Sequence, residues 1–217
     1  MIVFFSIEKD RYAQTQVWGI LKSWFWDKTK SLITYTSTTV WNIDLDEKYL
    51  STALINKGEF VAGIYVSPKN KRALKARNLE DIRQLTFVSS KKWIVDWNTL
   101  TELSVKALYH VSQWKFMPKM VLSERADALL APFQSNDQLL FQTEEGDLIP
   151  IPGVKIGLKG ARHFSIADKS VGNIKLKDAL NKGIAHLKES RIIQRAYEES
   201  GFFNIHVKDW SLINDGK

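Results

Sequence analysis

Residues 78–90 read Asn-Leu-Glu-Asp-Ile-Arg-Gln-Leu-Thr-Phe-Val-Ser-Ser, and the order of that stretch decides the fold class. Asn78 is a good N-cap, because its side-chain oxygen can accept from a first-turn N–H. Glu80 and Asp81 fall in that first turn, where the helix dipole favours negative charge. A short helix is therefore predicted to start after Asn78. Residues 85–88 form a strand, and a second helix opens near Lys92 with Trp93 and Trp97 four residues apart on one face.

Working outward, residues 2–5 read as a buried strand. Residues 11–25 read as an amphipathic helix, with Val17, Trp18, Leu21, Trp24 and Phe25 at three- and four-residue steps. Residues 32–40 are β-branched and suit a strand. Residues 45–55 are expected to be a short helix with Asp44, Asp46 and Glu47 at its start, ended by Gly58. Residues 59–67 are an apolar strand stopped by Pro68. Beyond the opening stretch, 105–120 is mixed, with Pro118 breaking or starting a helix. Residues 126–131 are a buried strand ended by Pro132, and 136–147 is polar with a turn at 145–147. Strands at 154–158 and 163–167 flank Lys159-Gly160. Helices follow at 176–188 and 191–200, and a last strand at 202–207. Strands alternate with helices throughout, which predicts an α/β fold with a largely parallel sheet.

The 217 residues are enough for one compact domain or two small lobes. Hydrophobic residues make up 44% and charged residues 25%, ordinary globular usage that excludes wholesale disorder and collagen-like repeats. No apolar run is long enough to span a membrane. Lys and Arg number 31 against 24 Asp and Glu, a net +7 and a pI near 9.4. The absence of cysteine excludes disulfides, thiolate nucleophiles and Cys-ligated zinc, and it fits an oxidising compartment. Residues 1–5 are only a short apolar run before Glu8, Lys9, Asp10 and Arg11, so no secretory signal is legible. Either the protein is cytoplasmic or the chain is the mature part of an exported one.

The four histidines, His110, His163, His186 and His206, are scattered without ligand-like spacing, so no metal is expected. No nucleophile elbow, phosphate loop, dinucleotide fingerprint or H-E-x-x-H helix occurs. No enzymatic activity or cofactor is therefore expected. The basic run of Lys69, Lys71, Arg72, Lys75 and Arg77 has no aromatic residue interleaved for stacking on bases. It reads as a solvated loop, and no nucleic-acid partner is expected. Trp41, Trp93 and Trp97 lie near strand-to-helix transitions, where α/β sheets collect ligands, although core packing explains any one of them equally well. Ser89 and Ser90 stand between a strand and a helix start. Hydroxyls and backbone N–H groups there suit a carboxylate or phosphate, and an ordinary N-cap would explain one serine but not both.

Residues 78–90 also resemble the segment that opens the second lobe of bacterial extracellular solute-binding proteins of the type 2 periplasmic-binding fold. Met117-Pro-Lys-Met-Val-Leu-Ser-Glu-Arg-Ala-Asp-Ala-Leu-Leu-Ala is similar to their helix-to-strand segment ending in Gly-Arg-x-Asp-Ala. Ser165-Ile-Ala-Asp-Lys-Ser, with 176–187 and 191–202, is similar to their C-terminal helices. The three segments occur in the family's order over about 78–203.

The resemblance implies two α/β lobes around a central cleft that closes on a small molecule, connected by strands near 64–66 and 158–167. Lobe I would be 1–65 with 159–217, and lobe II would be 66–158. The family opens with a strand and then a Gly-rich approach to a helix; here the chain moves from Phe5 to the helix at 11–25 without that approach, so the first lobe is expected to be short or truncated. Its Thr-x-x-Arg turn, which clamps an α-carboxylate in amino-acid binders, corresponds to 36–42, where hydroxyls such as that of Thr38 occur without an Arg. That departure argues against an α-amino acid. The expected function is capture of a small polar or anionic solute by a periplasmic monomer, for a membrane permease or a receptor. Ser89, Ser90 and the helix they start would receive the anion. Arg125 or Arg162 would add charge-assisted bonds, and Trp41 or Trp93 would stack. A cytoplasmic sensor of the same fold, or a degenerate member acting through protein partners, is the alternative.

Overall fold

The computed structural model describes residues 39–41, 50–134, 136–164, 171–199 and 202–214. The expected strand at 2–5, the helix at 11–25, most of the strand at 32–40 and Thr38 lie outside them. The chain divides into two compact units, Met1–Lys57 with Gly160–Ser200, and Gly58–Lys159 with Gly201–Lys217. It is an α/β protein.

The second unit is built on one mixed sheet. Strand β2 (Val61–Val66) is buried along nearly its whole length and accepts partners on both edges. One edge takes β5 (Ala128–Pro132), with Val66 opposite Ala128 and Ala62 opposite Pro132. The other edge takes β7 (Gly146–Pro150) and then β8 (Val154–Gly157). All three run antiparallel to β2, which corrects the expectation of a largely parallel sheet. An apolar run such as 61–66 encodes burial on both faces but not strand direction. Beyond β5 the order continues through β3 (Thr86–Ser89) to β4 (Ala107–His110), and these pairings are parallel.

Helix α1 (Leu79–Arg83) is capped as expected, with the Asn78 side chain accepting from the Asp81 N–H. Helix α2 (Ile94–Glu102) follows β3, and α3 (Phe116–Leu122) connects β4 to β5. The polar stretch 136–147 holds an unforeseen hairpin, in which β6 (Phe141–Thr143) pairs with β7. Its alternation is carried only by Phe141 and Leu148, both fully buried. Gly146 makes the turn with a φ of 135°, a value L-side chains rarely adopt. Residues 205–207 form a 3₁₀ turn instead of a strand, because Asn204 caps it through the His206 N–H. The short strand β10, Ser211–Leu212, then pairs with β8.

In the first unit, β1 (Thr39–Trp41) pairs antiparallel with β9 (Arg162–Phe164). The described part of the expected helix at 45–55, residues 50–55, is not helical. Ser51 N–H donates to the Phe164 carbonyl at 2.9 Å and Leu54 N–H to the Arg162 carbonyl at 2.7 Å. The Ser51 hydroxyl also accepts from the Phe164 N–H, so β9 takes the backbone groups a helix would have used. Helices α4 (Val171–Glu189) and α5 (Ile192–Glu199) complete the described part, with Asn181 accepting from the Thr52 N–H at 2.7 Å.

Two positions decide whether the sheet holds. A Cβ on Gly63 would come within 2.7 Å of the Phe133 ring and 2.9 Å of the Tyr65 ring. Both rings are buried, and the Tyr65 hydroxyl is fixed by donating to the Leu139 carbonyl and accepting from the Gln134 N–H. Gly63→Ala is expected to cost about 1–3 kcal/mol, a drop of several degrees in Tm read by calorimetry.

Asp127 ties the basic loop to the sheet. Its carboxylate accepts from Thr86 N–H and hydroxyl at 2.9 Å, Asn70 Nδ2 at 2.9 Å and Arg72 at 2.7 Å. Partial burial pushes its pKa up, but the bonds from Thr86, Asn70 and Arg72 outweigh that and hold it below the usual carboxylate range. Its contribution is therefore full above the unfolded pKa and is lost as pH falls through the lower folded value. Asp127→Asn is expected to lower stability by about 1–3 kcal/mol at pH 7 and to flatten the acid limb, read by urea melts between pH 2 and 7.

Candidate functional site

In the second unit, β3 delivers Ser89 and Ser90 to the start of α2. Phe87 and Val88 bury fully and fix the strand between β4 and β5, so Ser89 ends it at its C-terminal edge. The carbonyl of Ser89 accepts from Val111 N–H at 2.9 Å, which continues the β3–β4 ladder into the loop. The Ser90 carbonyl accepts from Trp93 N–H at 2.9 Å and its hydroxyl from Lys92 N–H at 3.3 Å. Ser90 thus closes a side-chain turn one step before the helix. Trp93 is the N-cap of α2 and makes no side-chain capping bond there, and the buried Asp96 stands in the first turn. The Ser89 hydroxyl has no hydrogen-bond partner among the described residues, although the residue is only 3% exposed.

The corner therefore offers a serine hydroxyl, the first N–H groups of a nine-residue helix and two exposed cationic side chains, Lys91 and Lys92. Partial positive charge at a helix start and two ammonium groups suit a carboxylate or phosphate. The Lys91 Nζ also lies 5.6 Å over the Trp97 ring, which holds that cation beside the turn.

Trp93 is half-buried. Its ring lies 5.7 Å from that of Trp114, which meets Phe141 at 5.4 Å, and Phe141 in turn meets Tyr65 at 5.5 Å. Much of Trp93 is thus core packing, with a part left at the surface of the corner. Sequence reasoning missed His110, whose Nδ1 lies 3.2 Å from the Lys91 nitrogen. Only the β3–β4 register, with Ser89 opposite His110, brings it to the turn.

The structure does not bring Arg125 to the serines. Asp127 N–H donates to the Thr86 carbonyl, and Ala128 lies opposite Phe87 in a parallel pair. Arg125 precedes that point and therefore stands, exposed, beside the N-terminal end of β3. Thr86 to Ser89 alone spans about 10 Å. The signal was in the sequence, since α/β sheets place ligands beyond the C-terminal ends of strands and Arg125 comes before its strand.

Arg162 belongs to the first unit. It is 3% exposed, lies in β9 opposite Trp41, and its backbone bonds Leu54 and Ile55. Burial pushes the Tyr197 hydroxyl up to about 12 while the nearby Arg162 charge works against that rise. The side chain of Trp41 lies outside the described residues, as does the whole of Thr38. Among the described residues, no group of three or more His, Asp or Glu is placed to hold a metal, and no helix is long and apolar enough to cross a membrane.

No family model and no curated protein matches the chain. Among solved structures it is similar to the probable amino-acid ABC transporter extracellular-binding protein of Bacillus subtilis, at 18% identity and a TM-score of 0.48. That match covers 70% of this chain and 64% of the other. It is also similar to an amino acid ABC transporter substrate-binding protein of Streptococcus pneumoniae, solved with L-arginine. Identity is 12%, TM-score 0.46, and coverage 75% and 65%. A third is an ancestral amino-acid-binding protein described as a precursor of cyclohexadienyl dehydratase, at 16% identity and TM-score 0.44, with 70% and 62% covered. The chain spans less than two thirds of the length of each of these three proteins.

The two serines are expected to separate in stability. Ser90→Ala leaves the Lys92 N–H without its acceptor and should cost up to about 1 kcal/mol, whereas Ser89→Ala should stay within about 0.5 kcal/mol. Urea midpoints of the two variants check the order.

Proposed function

We propose that this chain is a non-enzymatic solute-binding protein that captures a small polar or anionic molecule, with residues 89–95 receiving its anionic group. The observation that carries this reading is the corner after β3. A helix start whose N-cap makes no side-chain capping bond, a Ser89 hydroxyl without a described partner and two exposed lysines converge at the C-terminal edge of a buried strand. In α/β sheets that edge is where ligands bind. The ordered resemblance of 78–90, 117–131 and the C-terminal helices to extracellular solute-binding proteins supports the same reading. The captured solute would pass to a membrane permease or signal to a receptor, in the periplasm.

Binding only to the folded form would stabilise the chain by about 2.7 kcal/mol at roughly 100 times the dissociation constant. A thermal-shift panel of L-glutamate, citrate, phosphate, L-arginine, glucose and spermidine is therefore expected to show an anion raising Tm by several degrees. Replacing Lys91 and Lys92 together by Ala should reduce that shift without removing the fold. A panel with no shift, or shifts from spermidine alone, contradicts the reading.

A further inference from the structure

His110 ends β4 directly opposite Ser89, the last residue of β3. Its Nδ1 lies 3.2 Å from the Lys91 backbone nitrogen. An amide N–H can only donate, so Nδ1 accepts and the ring proton sits on Nε2. The same ring meets Trp97 of α2 edge to face, at 6.0 Å and 86°. Lys91 places its ammonium over that Trp97 ring. One exposed imidazole therefore touches both the turn and the helix that the turn begins. The other titratable groups beside it on these elements are Lys91 and Lys92 of the turn, Asp96 of α2 and Tyr109 of β4.

We propose that His110 is a positioning residue for the 89–95 turn, and that protonating it releases the Lys91 amide and weakens solute capture in acid. This rests on the reading that the turn receives the solute. An imidazolium carries a proton on both nitrogens, so Nδ1–H would face the Lys91 N–H, donor against donor. The bond is then lost, and the turn is held more loosely, by the Ser90 bonds to Lys92 and Trp93 and the Val111 bond to Ser89. The imidazolium adds one more charge to a corner that Lys91 and Lys92 already make positive, so it attracts an anion only incrementally, and losing the fixed geometry of the turn is the larger change. Histidine is the side chain whose ordinary charge change lies between about pH 5 and 8, so that is the range over which the coupling is tested.

The test follows the Lys91 amide by NMR in the solute-free chain from pH 8 to 5. Its proton is expected to move upfield with the same midpoint as the His110 ring. In His110→Asn, whose side-chain oxygen accepts without titrating, it should stay fixed. L-Glutamate, whose charge is constant over most of this range, should bind about two- to fivefold more weakly at pH 5.5 than at 7.5, and equally at both in His110→Asn. A Lys91 amide that stays still while the ring titrates overturns the positioning role. A moving amide with pH-independent glutamate binding overturns the effect on capture. If glutamate does not bind at pH 7.5, the solute reading loses support and the effect on capture falls with it, while the amide titration still decides the positioning role.

Discussion

The second unit depends on β2, a six-residue strand that is buried on both faces and hydrogen-bonded along both edges. Ile64, Tyr65 and Val66 are fully buried, so removing them from water is a large favourable term. A strand with no solvent face tolerates no slip of register, because a one-residue shift would exchange its two sets of packed side chains. That register is passed on. Val66 fixes Ala128, Ala128 fixes Phe87, and β3 then fixes where Ser89 and His110 meet. The candidate site is thus the far end of a chain of pairings that begins in the core.

The two ends of β3 are treated differently. At its start, Thr86 is held by Asp127, which also gathers Asn70 and Arg72, so donors and acceptors there are mutually satisfied. Cations of the basic loop, although exposed, bond within it, with Arg77 donating to the carbonyls of Leu74 and Ala76, and Lys71 to that of Pro68. At the other end, the N-cap of α2 makes no side-chain capping bond and two lysines stand exposed. One edge is paired within the chain, and under the proposed reading the other keeps polar groups available for the solute.

Much of this was legible in the sequence. The Asn78 cap, the strand before Ser89 and the helix after Lys92 follow from local chemistry, because capping and period act over a few residues. The hairpin at 141–150 was not legible, since only Phe141 and Leu148 mark its buried face. The direction of β2 was hidden because apolar content is the same in either direction. The segment 50–55 has a helical composition but gives its N–H groups to β9, a partner more than a hundred residues away. Arg125 precedes β5, which puts it at the edge of the sheet opposite Ser89, and that follows from the parallel pairing of β5 with β3. The His110–Lys91 contact depends on strand register, which no pattern within either segment encodes.

The central claim is that an anionic solute sits at the corner after β3, and an amide chemical-shift map of the ¹⁵N-labelled chain titrated with citrate tests it most directly. The account predicts that saturable changes concentrate at residues 89–95, above all at the Ser89–Ser90 step and the first N–H groups of α2. Changes concentrated instead at the Arg72–Asp127 edge, or none anywhere in the second unit, would contradict it.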